Sequence, residues 1–186
     1  PEPEPETEPE TFKYVKLSMT DSQTYHATHP TYGNRTNVLN GNLIIVFDLK
    51  IFINDVDVAT LASLSAGSNG DEVINMTDGN DTTAYHSDFV SDGNWVLIEL
   101  DSTYSLNELQ AIRLFGSDDD ARRNFFLRGI TVDILDEQQN ILNSSTVPIT
   151  FADGNPAVGI ASESIRLRYN SSTTTAPSDS DADEEL

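Results

Sequence analysis

The chain has no cysteine, only ten lysine and arginine residues in 186, and no long apolar run. The missing cysteine excludes disulfides, thiolate metal sites and cysteine nucleophiles. The longest apolar run, residues 43–47, is far shorter than the roughly 20 residues of a membrane-spanning helix. With 31 acidic residues the net charge is −21, which argues against a nucleic-acid partner because phosphate binding needs a basic surface.

Motifs that commonly mark enzymes are also missing from the sequence. It contains no Gly-x-Ser-x-Gly elbow and no phosphate-binding glycine loop. Carboxylate pairs are abundant, as they must be among so many acids, so pairing alone does not argue for glycoside hydrolysis. We therefore predict that the chain is not an enzyme.

The distribution of charge and proline divides the chain into three parts. Alternating proline and glutamate in residues 1–11 predict an extended acidic linker, and residues 171–186 form a second acidic tail rich in serine, threonine and aspartate. Ten acids lie in these two segments, so the net charge falls to −11 between them. With 37% hydrophobic residues, the chain can form one core, which we place in residues 12–170.

Short segments of alternating apolar and polar residues predict an all-β fold. We expect strands at residues 12–19, 95–100, 111–115, 129–135 and 164–169, and one long or two short strands in 42–53, interrupted near 48–50. Residues 20–37 are predicted as a long polar loop, residues 136–140 as a hairpin turn, and 57–64 and 105–109 as sites of short helical turns. Several short strands separated by turns are typical of a β-sandwich, so we predict a single sandwich.

A cluster of short oxygen-bearing side chains surrounds the turn at Gly79. Oxygen ligands on a tight turn suit Ca²⁺, and glycine permits the positive φ that lets such a loop fold back. The candidate ligands are the carboxylate of Asp78, either Asp81 or the carbonyl of Asn80 beside it, and the hydroxyl and carbonyl of Thr83. The alternative is an Asp-Gly turn in which Thr83 caps the local backbone.

Five segments in order along the chain resemble one known family. They are residues 15–19, residues 39–48 with the following Asp57-Val58-Ala59, residues 78–87, residues 95–100, and residues 109–115 with 128–136. Residues 78–87 match an Asp-Gly-x-x-x-Thr-x-Trp-x-Ser motif, with Tyr85 in the tryptophan position. The pattern resembles the discoidin, or coagulation factor 5/8 type C, family, which implies a galactose-binding-like jelly roll shared with many carbohydrate-binding modules.

The resemblance also implies where metal and ligand would bind. Glu163 stands where the family usually closes the calcium shell, and Arg122 and Arg123 lie in a loop that contributes to the family's binding face. The alternative for the two arginines is an exposed salt-bridged turn. Tyr85 and Trp95 are interpreted as core packing rather than as surfaces for stacking on sugars.

The loop predicted at residues 20–37 is the other ligand candidate. It offers aromatic faces for stacking and polar donors for sugar hydroxyls, although it could equally be a solvated, variable loop. The candidate residues are Tyr25, His26, His29, Tyr32, Asn34 and Arg35. A zinc site at His26 and His29 has little support because no cysteine or carboxylate pair lies nearby.

These observations lead to a predicted function and a rival. We expect a non-catalytic carbohydrate-binding or adhesion module, stabilised by structural Ca²⁺, on a larger extracellular, cell-surface or virion protein, with glycans or glycoproteins as partners. The rival is a structural building block that contacts copies of itself or neighbouring surface proteins. Sequons at Asn34, Asn75, Asn80, Asn143 and Asn170 fit a glycoprotein. The acidic surface argues against membrane binding.

Overall fold

The computed structural model describes residues 9–19, 24–29, 33–38, 43–80, 82–88, 93–116, 127, 129–147 and 165–168; of these, 24–29, 33–38 and 165–168 are described by their backbone alone. Within these ranges the chain forms antiparallel β-sheets and three short 3₁₀ helices. The 3₁₀ helices are Ala59–Leu61, Gly70–Met76 and Leu106–Glu108. No helix in the described ranges is long and apolar enough to cross a bilayer.

Thirteen strands are present in the described residues. In chain order they are β1 (Thr11–Met19), β2 (Thr24–His29), β3 (Gly33–Val38), β4 (Ile45–Val46), β5 (Asp48–Ile53), β6 (Val56–Asp57), β7 (Ser63–Ala66), β8 (Tyr85–His86), β9 (Asn94–Ser105), β10 (Leu109–Phe115), β11 (Thr131–Leu135), β12 (Ile141–Thr146) and β13 (Ile165–Arg168).

Two larger sheets organise these strands. The five-stranded sheet has the order β12-β11-β1-β9-β7, so the first strand of the chain lies at its centre. Val15 of β1 pairs with Ile98 of β9 on one side and with Ile134 of β11 on the other. The four-stranded sheet has the order β13-β10-β5-β6, and β2-β3 and β4-β8 form two short ladders.

One buried cluster draws side chains from both larger sheets. In β9 the core residues are Val96, Ile98 and Leu100, which alternate with residues facing away. The same period of two places Leu49 and Ile51 of β5 in the same cluster. Alternating patterning thus gives each sheet one apolar inner face, and the prediction of an all-β fold is confirmed.

The strongly alternating strands agree with the sequence predictions. Strands β1, β9, β10, β11 and β13 lie where strands were expected, and residues 136–140 connect β11 to β12 as a hairpin turn. Residues 43–53 form two strands, but the break falls at Phe47 rather than at 48–50. Both predicted helical turns contain a 3₁₀ helix, and the second begins with a capping box of Ser105 and Glu108.

The prediction of a long polar loop at residues 20–37 was wrong, because β2 and β3 pair there as an antiparallel hairpin. Threonine, tyrosine and valine favour strands even when the segment is polar, because β-propensity reflects fit to a pleated surface rather than hydrophobicity. Strands β6 and β7 and the 3₁₀ helix Gly70–Met76 were not predicted.

Candidate functional site

The loop of residues 78–83 folds around the carboxylate of Asp78. Oδ1 of Asp78 accepts a hydrogen bond from the Asn80 N–H (2.8 Å), and Oδ2 accepts from the Thr83 hydroxyl (2.8 Å). Gly79 has φ +74°, so its predicted positive φ is present. The Asn80 side-chain oxygen accepts from the N–H (3.1 Å) and the hydroxyl (2.7 Å) of Thr82. The sequence thus forms an Asx turn of the kind weighed as the alternative to calcium.

These contacts also bring predicted metal ligands together. Asp78, Asn80 and Thr83 are adjacent, and the Asn80 carbonyl already accepts the Thr83 hydroxyl at 3.0 Å. Each Asp78 oxygen keeps a second acceptor direction, whereas the Asn80 carbonyl accepts the Thr83 N–H (3.3 Å) as well as the Thr83 hydroxyl. A hard cation at this loop would therefore have to displace the Thr83 hydroxyl from that carbonyl. Asp81 and Glu163 lie outside the described residues. In the described ranges no three His, Asp or Glu side chains form a metal-binding group.

The predicted sugar-binding residues of strands β2 and β3 occupy both faces of their hairpin. Pairing of Ala27 with Arg35 puts Arg35 on the register face of Tyr25 and His29. His26 and Asn34 occupy the opposite register face, so the two histidines do not share one face and a zinc site that uses both loses its geometric basis. The remaining candidates, Tyr32, Arg122 and Arg123, lie outside the described residues.

The two aromatic residues assigned to the core have different positions. Tyr85 is fully buried, as predicted, and its hydroxyl donates to the Ser68 carbonyl at 2.8 Å. Trp95 is 38% exposed and lies on the outer face of the five-stranded sheet, so its assignment to the core was wrong. Val96, Ile98 and Leu100 take the inner face of β9, which leaves Trp95, Leu97 and Glu99 on the outer face.

The indole of Trp95 lies against Gly67. A Cβ placed on Gly67 would be 2.8 Å from the indole Nε1 and 3.1 and 3.2 Å from the bonded carbons Cδ1 and Cε2. Three such similar distances arise when the added Cβ lies above the face of the indole ring. If the Cβ lay in the plane of the ring, the two carbons would be much farther from it than the nitrogen is. One face of the indole therefore covers the backbone of Gly67, and the exposed area belongs to the rest of the ring.

Polar contacts hold the turn that follows Gly67. The Ser68 hydroxyl donates to Oδ1 of Asn94 (3.1 Å) and accepts from the Asp88 N–H (2.9 Å), while Nδ2 of Asn94 donates to the Asp88 carbonyl (2.7 Å). The Gly67 N–H donates to the Trp95 carbonyl at 3.0 Å. The backbone beneath the indole is thus fixed to two other parts of the chain, residues 94–95 and Asp88, which makes a rigid base for an exposed ring.

Small hydroxyl side chains continue the row of Trp95 across the sheet. Register places Ser18 beside Trp95, Thr131 beside Ser18, and Thr146 beside Thr131. The hydroxyls of Thr131 and Thr146 are 3.1 Å apart. We call the row of Trp95, Ser18, Thr131 and Thr146 the outer-face row. It combines one flat apolar surface with donors and acceptors that suit hydroxyl groups of a ligand.

A signal in the sequence could have located Trp95 correctly. Glu99 lies four residues after Trp95, and in a strand these two positions share one face. A glutamate in phase with the tryptophan indicates that this face meets solvent, since an uncompensated carboxylate is costly to bury.

Comparisons with protein-family models, curated proteins and solved structures found no match for this chain.

Proposed function

We propose that the chain is a non-catalytic carbohydrate-binding or adhesion module of a larger extracellular, cell-surface or virion protein. The observation that carries this proposal is the exposed Trp95 seated on Gly67 at the head of the outer-face row. Large, ordered aromatic surfaces are otherwise kept in the core, because exposing them to water forfeits the free energy of burial.

The ligand class follows from the chemistry of the outer-face row. A pyranose ring has an apolar C–H face that can stack on an indole and a rim of hydroxyls that exchange hydrogen bonds with serine and threonine. The chain outside the tails carries a net charge of −11, so an anionic sugar would be repelled by the molecule as a whole. We therefore propose a neutral glycan.

The proposed fold is a discoidin-like, galactose-binding-like jelly-roll sandwich. Two antiparallel sheets that contribute to a single buried cluster support it, as does the burial of Tyr85 at the family's tryptophan position. Such a sandwich presents a rigid outer face, so the indole and the hydroxyls need little ordering when a ligand binds.

Structural calcium in the loop of residues 78–83 is the second part of the proposal. Asp78, Asn80 and Thr83 would hold the ion, with Asp81 and Glu163 as the further candidates. The support is the convergence of the Asp78 and Thr83 side chains and the Asn80 carbonyl on an exposed turn with a positive φ at Gly79. Calcium would contribute stability to the turn and take no part in sugar chemistry.

The sugar proposal is tested by the fluorescence of Trp95, the only tryptophan in the chain. Methyl β-galactoside, methyl β-glucoside and methyl α-mannoside are titrated while acrylamide quenching of the emission is measured. A sugar that stacks on the exposed ring must reduce the quenching constant, and Trp95→Ala must abolish binding to an immobilised panel of neutral glycans. Trp95→Phe keeps a smaller flat ring and is expected to retain part of the binding.

Ile74→Ala is the matched control, since Ile74 is an exposed apolar side chain outside the outer-face row. It should leave glycan binding unchanged. Glycan binding that survives Trp95→Ala would overturn the assignment of this row, and a neutral-glycan panel with no binder at all would overturn the function.

The calcium proposal is tested by thermal unfolding in EDTA and in millimolar Ca²⁺, because a ligand that binds only the native state raises stability as RT ln(1 + [L]/Kd). We expect a rise with Ca²⁺ that is absent from Asp78→Ala and preserved in Asp71→Ala, an exposed acid of the preceding 3₁₀ helix. Mg²⁺ is the control for screening by any divalent cation. An equal rise in unfolding temperature with Mg²⁺, or a rise with Ca²⁺ that survives Asp78→Ala, would refute the site.

One observation favours the rival function, a structural building block. Strand β12 ends the order of the five-stranded sheet, carries no charged residue and exposes Ile141 by 62%. Uncharged terminal strands can recruit a strand from another chain. If this function is correct, light scattering should show a concentration-dependent oligomer that Ile141→Lys dissociates.

A further inference from the structure

The outer face of the four-stranded sheet concentrates basic residues. Lys50 of β5 pairs with Arg113 of β10, and Arg113 pairs with Arg166 of β13. Arg168 occupies the position next to Ala111. These four positions, which we call the basic face, hold four of the ten lysine and arginine residues of a chain whose net charge is −21.

Register and burial place these positions on the side of the sheet away from the core. Leu49 and Ile51 of β5, and Ile112 and Leu114 of β10, belong to the buried cluster, so residues 50 and 113 face outward. Leu167 pairs with Ile112, which puts residues 166 and 168 at the outward register positions of β13.

Arg113 is half-buried without an ionic partner. Its guanidinium carbon lies 4.9 Å from the centre of the Phe52 ring, and its Nε is buried with no hydrogen-bond partner in the described part of the chain. Among the described residues no carboxylate forms an ion pair with it. A buried donor left unsatisfied is costly, and Nε is out of reach from solvent, so a carboxylate from another segment would accept from the terminal guanidinium nitrogens of Arg113.

Two acids beside the basic face, among the residues that the structure describes, are already engaged. Oδ2 of Asp48 lies 3.4 Å from Nζ of Lys50, and Lys50 also lies 5.4 Å from the Phe115 ring centre. Oδ1 of Asp57 accepts the N–H groups of Ile51 and Ala59, both at 3.1 Å. The charge of Arg113 therefore stays available.

We propose that the acidic C-terminal segment of this chain, residues 179–185, binds back onto the basic face. It carries five acids and follows β13 through the uncharged spacer of residues 169–178. Ten extended residues reach about 33 Å, whereas four strands at about 4.8 Å spacing span only some 15 Å. Tethering gives the segment an effective concentration on the order of millimolar.

The attachment points of the two acidic tails explain why the C-terminal one is chosen. Both tails carry five acids, but residues 1–10 lead into β1, which belongs to the five-stranded sheet. Residues 169–186 follow β13, which belongs to the sheet that carries the basic face. Charge complementarity alone would fit either tail, but the direct connection of the C-terminal tail to β13 favours that tail. This inference does not depend on the proposed sugar binding.

A paramagnetic label provides the test, because a chain without cysteine accepts a single labelled site. In the full chain, a nitroxide at Ser180→Cys should reduce the amide signals of Lys50, Phe52 and Arg113 at least twofold in low salt. One molar NaCl should restore them, since screening removes the attraction. A label at Thr7→Cys should leave these signals unchanged.

Charge-neutral tails supply the matched comparison. Asn and Gln in place of the acids of residues 179–185 should abolish the effect, while Gln in place of the five glutamates of residues 2–10 changes the net charge equally and should preserve it. The proposal is overturned by unreduced signals, by equal reduction from both labels, or by a reduction that grows with protein concentration and so reports binding between molecules.

Discussion

At the scale of single residues, the contact between Gly67 and Trp95 leaves no room for a methyl group. Gly67→Ala would put its Cβ 2.8 Å from Nε1 of the indole, a distance that real Cβ contacts do not show. We expect the ring to be displaced, with a cost of about 1–3 kcal/mol in unfolding free energy, as for other overpacked sites. Chemical denaturation measures the cost, and acrylamide quenching measures the greater exposure of Trp95.

Gly70→Ala is the control for this prediction, because nothing lies within 4 Å of its added Cβ. It should leave both quenching and stability close to those of the unaltered chain. If Gly67→Ala behaves like Gly70→Ala, the indole does not rest on Gly67.

Tyr85 gives the molecule a predictable response to alkaline pH. Burial raises the pKa of its phenol. The folded state then holds the proton more tightly than the unfolded state, so stability present below pH 10 is lost as pH rises through the folded-state pKa. Urea unfolding between pH 8 and 12 should show a smaller decline for Tyr85→Phe than for the unaltered chain.

Tyr104 must be separated from this response. A hydrogen bond to Asp101 raises the pKa of Tyr104, whose ring is partly buried against the core. Tyr104→Phe should therefore also flatten the alkaline decline. An unchanged profile in Tyr85→Phe would show that its buried phenol does not contribute.

At the scale of elements, the hairpin turn between β11 and β12 depends on one carboxylate. Oδ1 of Asp136 accepts the N–H groups of Gln138 and Asn140, and Oδ2 accepts the Asn140 side chain, all at 2.8 Å. The Asn140 side-chain and backbone hydrogen bonds lower the pKa of Asp136. The turn's contribution is thus present above pH 3.8 and is lost as pH falls through the folded-state pKa.

We therefore expect Asp136→Ala to destabilise the β11-β12 hairpin at neutral pH. Hydrogen exchange of the β12 amides should accelerate in this variant. Gln138→Ala is its control, because only the backbone N–H of Gln138 contacts Asp136. Equal exchange in the two variants would contradict the assigned role of the carboxylate.

How far the sequence predicts each element depends on where its stabilising contacts lie. β1 and β9 carry a repeating apolar phase of their own, so their positions were predicted within a few residues. Strand β7, Ser63–Ala66, alternates over only four residues, too few to identify a strand, and its backbone is ordered by pairing with β9. The outer position of Trp95 was missed because the alternation of side chains along β9 defines two faces without saying which of them is buried. Only the charge of Glu99 identifies the face of Trp95 as the outer one.

The candidate sites divide in the same way. The turn at Gly79 depends on contacts within six residues, so the sequence predicted both its geometry and its cluster of oxygens. The seat of Trp95 on Gly67 joins residues 28 positions apart, and the basic face joins three strands. Such juxtapositions require the pairing register, which local patterns do not supply.

At the scale of the whole molecule, the net charge of −21 dominates the response to salt. In the described residues only two ion pairs form, Lys13–Glu99 at 4.0 Å and Lys50–Asp48 at 3.4 Å, so among these residues screening removes little attraction. It removes much repulsion. We expect the unfolding free energy to rise as NaCl is increased from low concentration to 1 M, measured by urea denaturation.

Charge neutralisation distinguishes repulsion from other effects of salt. The variant with glutamines in place of the five glutamates of residues 2–10 should show a shallower rise. A fall in stability with NaCl, or a rise of the same slope in that variant, would contradict the role given to repulsion.

The central place of β1 has a consequence for how the protein is made. Its partners β9 and β11 follow some 80 and 115 residues later, so the five-stranded sheet cannot close until most of the chain has left the ribosome. Pairings of such large sequence separation make folding slow. Until then the apolar side of β1, with Val15 and Leu17, remains open to wrong partners. During synthesis of this chain, β1 should therefore have to stay unpaired until the segment that contains β11 has been made.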